Sequence, residues 1–232
     1  MADAEQGVVQ DADEPPTFVR RHDVGGQELA IHQDPLAAWK TGNGASVWDA
    51  ALALGAYLEQ PAIRAELCTG KRLFEVGAGT GFVGLCAAAL GAGSVVLADR
   101  RCALPLLRKN VALVNAKLPH ERAVCAVAEL EWGDAEQAAA AAEKGLDVVI
   151  VSDCVHWPEL FAPLIDSLVA LAGEQRRGAV VLISYEERNA VVEDEFFEQL
   201  RRRFDVRAVP AALQAEDYRD PSIFIFRCTL LL

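Results

Sequence analysis

The stretch RLFEVGAGTGFVGLCAAALGAGSVVLADR, residues 72–100, limits the fold more than any other part of the chain. A short apolar run leads into glycines at 77, 79 and 81, then a small-residue helical pattern, then a second apolar run ending in Asp99. Glycine at every second position after a strand lets the backbone turn sharply and approach a ligand that a Cβ would push away. The stretch therefore reads as strand, loop, helix and parallel strand, the unit of an open α/β sheet that binds ligands at its strand ends. Residues 79–84, GTGFVG, satisfy the dinucleotide pattern, and Asp99 is placed to accept from ribose hydroxyls. The loop by itself admits both NAD and S-adenosylmethionine.

The flanking sequence extends this unit into a single domain. TFVRRHDVGGQELAIHQ predicts a hairpin turning at Gly25 and Gly26, and SVWDAALALGAYLEQ a helix ending before Pro61 with Val47, Ala51, Leu54 and Leu58 on one face. Beyond the glycine loop, AVCAVAEL, LDVVIVSD and GAVVLISYEE predict three more parallel strands, the middle one apolar throughout, as a strand covered on both faces must be. DVRAVP and SIFIFRCTLLL have no helix between them and predict an antiparallel C-terminal hairpin. The expected fold is α/β and Rossmann-like: a seven-stranded, mostly parallel sheet closed by that hairpin. Residues 1–16 hold five acids, no base and two prolines and are expected to be a disordered tail. Residues 17–232 form the domain, with the hairpin and helix of 17–60 preceding a core of 61–232.

Charge and composition narrow the function. A net charge of −12, from 34 acids against 22 bases, opposes binding to nucleic acid and favours a basic partner. The acidic start lacks the pattern of a signal peptide and no run is apolar enough to span a membrane, so a cytoplasmic or nuclear monomer without membrane contact is expected. The six cysteines lie in apolar contexts without C-x-x-C spacing, and the four histidines show no ligand spacing. Reduced, mostly buried thiols and no metal site are expected.

Three features favour S-adenosylmethionine over NAD. Glu75 precedes the loop and suits an ammonium-bearing ligand better than a pyrophosphate. Ser152, Asp153, Cys154, Val155, His156 and Trp157 form a polar cluster at the end of the central strand, and the C-terminal hairpin stands where a dinucleotide domain has further parallel strands. Together, E-x-G-x-G-x-G, Asp99, ELEWG and SDCVHW resemble the seven-β-strand protein-lysine methyltransferases, more narrowly methyltransferase family 16 and its methyltransferase-like 21 group. The resemblance runs from about Gly44 to the C-terminus.

That resemblance implies S-adenosylmethionine as cofactor and a protein substrate, with translation factors and chaperones as the family's kind of target. It implies that Glu75, Gly77, Ala78, Gly79 and Gly81 bind the cofactor and that Asp99 holds its ribose. Trp132 would lie on the adenine, Ser152 would touch the cofactor through its backbone, and Trp48 would line the methionine end. Asp153 opens a D-x-x-Y motif framing the acceptor channel, with His156 in the tyrosine position; these two are the expected catalytic residues. Tyr185 and Glu186 are the second candidate position for the acceptor. The alternatives are methylation of a small molecule or nucleic acid, NAD-dependent oxidation, and a non-catalytic module that keeps the cofactor pocket.

Overall fold

The computed structural model describes residues 7–9, 15–36, 38–118, 125–143, 145–173 and 178–231. In chain order the elements are β1 (Gly7–Val9), β2 (Thr17–Val24), β3 (Gln27–Gln33), α1 (Asp49–Glu59), α2 (Pro61–Leu67), β4 (Arg72–Val76), α3 (Phe82–Ala89) and β5 (Ser94–Asp99). Then follow α4 (Leu104–Asn115), β6 (Cys125–Glu129), α5 (Ala135–Ala142), β7 (Val148–Ser152) and α6 (Phe161–Ala172). β8 (Val180–Glu186), α7 (Ala190–Arg201), β9 (Phe204–Ala208) and β10 (Ile223–Leu230) complete the chain.

The main sheet has seven strands in the order β6-β5-β4-β7-β8-β10-β9. The first five are parallel, while β10 runs antiparallel to both of its neighbours. The last strand is thus inserted between β8 and β9, a detail the expected hairpin did not contain. Its physical reason is burial. β10 buries Ile223, Ile225 and Cys228, whereas β9 carries Asp205 and Arg207 and takes the edge, where charge discourages further pairing.

Side chains alternate across the parallel strands as period-2 geometry requires. Leu73, Val148 and Ile150 face the layer that holds α1, α3 and α4; Phe74, Val76, Val149 and Val151 face the layer that holds α6 and α7. Helix α1 departs from the one-faced expectation, because Ala50 through Leu58 are buried all round. Small residues permit this. At Gly55 an added Cβ would stand 3.0 Å from Phe82 Cε1, so its absence lets α3 pack closely. The helix ends before Pro61 as expected, and a second one starts there: Gln60 caps both, and Pro61 fills the first turn of α2, where proline's missing N–H has no intrahelical partner to lose.

β1, β2 and β3 form a separate antiparallel sheet that turns at Gly25 and Gly26, both with positive φ, as the hairpin reading requires. Pairing of Gly7–Val9 with β2 gives part of the expected disordered tail a strand, and the rest of 1–14 lies outside the described residues. Asn110 of α4, fully buried, ties this sheet to the domain. Its Oδ1 accepts from the His32 N–H at 2.8 Å, and its Nδ2 donates to the carbonyls of His32 at 3.0 Å and Thr80 at 2.9 Å. Gln33 Oε1 accepts from the Val47 N–H at 2.8 Å and the Asp34 N–H donates to the Ala45 carbonyl at 2.8 Å. Residues 41–48 are thereby pressed against the strand ends of the main sheet.

Candidate functional site

β4 has β5 on one side and β7 on the other, so the chain winds away in both directions and leaves a crevice at the carboxyl ends of these strands. A cavity of about 770 Å³ fills it. Trp48, Glu75, Gly77, Ala78, Gly79, Asp99, Trp132, Ser152, Asp153 and His156 all line it. Gly81 does not. It sits at φ +82 as the cap of α3, where an added Cβ would come within 2.7 Å of Leu107 Cδ1 and 2.8 Å of Leu97 Cδ2. Its missing side chain makes room for these two leucines at the start of α3.

At the β5 side, Asp99 Oδ2 accepts from the Gly79 N–H at 2.7 Å and Oδ1 from the Arg100 N–H at 2.7 Å. Each carboxylate oxygen has a second lone pair, so Asp99 keeps capacity for hydroxyl donors. Burial raises its pKa, opposed by those same two N–H groups. Glu75 is buried beneath the loop and accepts from the Gly84 N–H at 2.9 Å. Burial pushes its carboxyl up to about 8, with Asp99 adding to the shift.

The loop leaves no room for a side chain at Gly77 or Gly79. A Cβ on Gly77 would stand 2.7 Å from Cys154 Sγ and 3.1 Å from Trp132 Cζ2, and one on Gly79 would stand 2.6 Å from the Gly44 carbonyl oxygen. Residues 42–45 form a short 3-10 turn that lies directly on the glycine loop. Thr41, Gly42, Asn43 and Gly44 line the cavity and were not singled out from sequence, although their glycine spacing just before VWDAA was the available signal. Thr41 Oγ1 is buried here without a hydrogen-bond partner among the described residues, a polar atom suited to a polar ligand.

At the other end, β7 and β8 bring their tips together. Asp153 has φ +54, a left-handed conformation that aspartate tolerates better than most residues, and its side chain is only 4% exposed. Arg188, from the loop after β8, holds it by two parallel bonds: Nη1 to Oδ1 at 2.8 Å and Nη2 to Oδ2 at 2.7 Å. Arg188 Nη2 also donates to Glu186 Oε2 at 2.8 Å, and its guanidinium lies 5.3 Å from the centre of the Trp48 ring. Trp48 donates from Nε1 to the Asn43 carbonyl at 3.0 Å and is 42% exposed. His156 packs edge-on against Trp157 with ring centres 5.4 Å apart; burial lowers its pKa, against the pull of Asp153, so the imidazole is neutral near pH 7. Ser152 Oγ accepts from Ser184 Oγ across the register at 3.0 Å. Tyr185 turns away into the core, stacked on Phe224 and Phe226, and forms no part of the site.

A family model described as "Lysine methyltransferase" matches residues 25–203. The protein N-lysine methyltransferase METTL21A of Danio rerio is 38% identical over 184 residues, which span 78% of this chain and 78% of that one. The chain is a member of the lysine methyltransferase family. It is an enzyme whose methyl donor is S-adenosylmethionine, and the NAD alternative falls away. EEF1A lysine methyltransferase 3 of Xenopus tropicalis is 38% identical over 151 residues, covering 65% of this chain and 61% of its own length. Among solved structures, an O-methyltransferase family protein from Burkholderia thailandensis has a TM-score of 0.56 at 13% identity, covering 84% of this chain and 60% of its own. That likeness concerns the fold. No helix among the described residues is long and apolar enough to cross a membrane.

Proposed function

We propose that this enzyme methylates a lysine side chain of a translation factor, that the β5 end of the cavity holds the donor and that the β7–β8 end admits the acceptor. The observation that carries this reading is one continuous cavity joining a glycine cradle with a ribose-type acid, Asp99, to a mouth built from Trp48, Asp153, His156 and Trp157. The donor supplies a methyl carbon on a positively charged sulfur. Gly77, Ala78 and Gly79 would hold it by close backbone approach, Asp99 by its free lone pairs, Thr41 by its unpaired hydroxyl and Trp132 by its ring. Buried Glu75 would act through the loop, accepting from the Gly84 N–H at 2.9 Å beneath the cradle.

The acceptor side has a different task. A lysine has a pKa of about 10.4 and must lose a proton before its nitrogen can attack. A partly desolvated channel beside a cationic group disfavours the ammonium, and fixed walls align the nitrogen with the methyl carbon, which is a proximity effect. The neutral ring of His156 packs against an alkyl chain without repelling it. No side chain among these is required as a general base, because water can take the proton.

The acceptor class is supported by the relative named for EEF1A and by the net charge of −12, which favours basic partners over nucleic acid. Incubation of the pure enzyme with tritiated donor and with EEF1A, total RNA or small amines in parallel tests it. Label on protein lysine, located by mass spectrometry, supports the proposal. Label confined to RNA or to the small amines refutes it.

A further inference from the structure

Arg188 is fixed from four directions. Its backbone N–H donates to Glu193 Oε1 of α7 at 3.0 Å, its guanidinium is bidentate on Asp153, it reaches Glu186, and it covers the Trp48 ring. This is more restraint than a surface arginine normally receives, since exposed ion pairs contribute little and seldom hold one geometry. The partner is what distinguishes it: Asp153 is almost wholly buried, lines the cavity, and opens the motif at the acceptor end.

We propose that Arg188 is a positioning residue for methyl transfer: by pairing with Asp153 it presents the incoming lysine with a neutral ion pair instead of a bare carboxylate, so that the lysine reacts as the free amine. The inference rests on the lysine reading above and concerns the same cavity. A carboxylate within about 4–6 Å of an amine favours its charged form by about 1–3 pKa units, whereas a cation at that range does the opposite. An unpaired Asp153 would therefore bind the lysine well and bind it in the wrong state, because an ammonium has no lone pair. Once the amine is neutral, its lone pair forms the N–C bond while the C–S bond breaks and that electron pair remains on sulfur. The surplus proton on the methylated nitrogen leaves to water.

The other charged groups around the mouth do not supply the same effect. Glu186 at the end of β8 and Glu193 of α7 are engaged with Arg188 itself. His156 is neutral, and Glu159 on the same loop is exposed, where solvent and salt screen it. Asp99, Arg100, Glu131 and Glu75 belong to the donor side, at the ends of β5, β6 and β4. Trp48 adds a flat face that the planar guanidinium covers while its fork stays on Asp153, a combination that an ammonium's single nitrogen does not reproduce.

The test compares the wild type with Arg188→Met, Arg188→Lys and the double variant Asp153→Asn/Arg188→Met. The acceptor is whichever member of a panel of EEF1A and a lysine-centred peptide library the wild type methylates fastest. Turnover at saturating donor and acceptor is followed from pH 6.5 to 10, alongside calorimetry with S-adenosylhomocysteine. Arg188→Met is expected to move the acid limb of turnover about one pH unit to the alkaline side, so that the rate at pH 7 falls about tenfold while the alkaline plateau is largely kept. Arg188→Lys keeps the limb in place and lowers the plateau. The double variant returns the limb to the wild-type position, because the carboxylate that displaced it is gone. Affinity for S-adenosylhomocysteine stays within twofold throughout. An Arg188→Met enzyme with a lowered plateau and an unmoved limb overturns the proposal, since a purely structural brace behaves that way. Lost donor affinity also overturns it, by placing Arg188 in the donor site. A wild type that methylates no lysine defeats both this inference and the proposed function, whereas an active wild type with an unmoved limb defeats this one alone. Arg188→Gln carries the same measurement if the methionine variant does not fold.

Discussion

Replacing Asn110 by alanine probes how far the N-terminal sheet belongs to the donor site. Asn110 is fully buried and makes three hydrogen bonds, two to the backbone of His32 in β3 and one to the Thr80 carbonyl inside the glycine loop. Each such bond contributes about 0.5–1.5 kcal/mol net, and a buried group left without its partner loses about 1–3 kcal/mol, so the variant should be less stable by about 2–5 kcal/mol. In a domain of this length that lowers Tm by roughly 5–15 °C. Urea titration at 25 °C measures the free energy directly. Calorimetry with S-adenosylhomocysteine, run well below the new Tm, reads the second effect: losing one bond's worth of order in the loop, about 1.4 kcal/mol, weakens binding about tenfold. Asn110→Asp sharpens the comparison. It has nearly the same shape and still accepts from His32, but it sets a carboxylate oxygen against two carbonyls and should be at least as harmful. A stability loss below about 1 kcal/mol in Asn110→Ala, or unchanged ligand affinity in a destabilised protein, would show that the sheet is an appendage and not a wall of the site.

Three further outcomes are expected. Asp99→Ala should weaken S-adenosylhomocysteine binding by about 1.5–3 kcal/mol, the range for hydrogen bonds to a charged group, and normal binding by calorimetry would place the ribose partner elsewhere. Glu75 has its folded-state carboxyl raised to about 8, so below about pH 4.5 its contribution is fully present and it is lost as pH rises towards 8. Denaturation of the ligand-free protein should show that slope, about 1.4 kcal/mol per pH unit from this group, and Glu75→Gln should flatten it; parallel curves for the two proteins would contradict the assignment. His156→Tyr and His156→Phe should retain turnover, and His156→Ala should lose turnover with donor affinity intact; an alanine variant working at the wild-type rate would make His156 a packing residue only.

The parts of this molecule legible in the sequence are those governed by local chemistry. Glycines 77 and 79 have positive φ and stand against other atoms where a Cβ would clash, so their spacing reported a real steric demand. The uninterrupted apolar run of β7 reported coverage on both faces. The unread parts depend on what lies far away in sequence. Arg188 in SYEERN looks like any exposed charge until β8 is set beside β7, 35 residues apart, and its fork meets Asp153. Asn110 sits in an apolar helix pattern and reads as a tolerated exception, because its partners at 32 and 80 are brought to it only by packing. Gly81 shows the same limit: its spacing marks it as part of the motif, but only the packed structure shows that its missing side chain makes room for Leu97 and Leu107.

The placement of β10 has a consequence for how the chain comes to be folded. Ribosomes deliver β8 well before β10, and until Ile223–Leu230 has emerged, β8 offers an unpaired edge bearing Val181, Ile183 and Tyr185 to whatever is nearby. β9 has no strand to join in that interval, since its hydrogen bonds in the sheet all go to β10. The final register sets Ile223 opposite Glu186, two residues before Arg188, so β10 clamps the strand end that shapes the acceptor mouth. A nascent chain can therefore carry a finished glycine loop on an unfinished sheet, sticky along one edge, until β10 is in place.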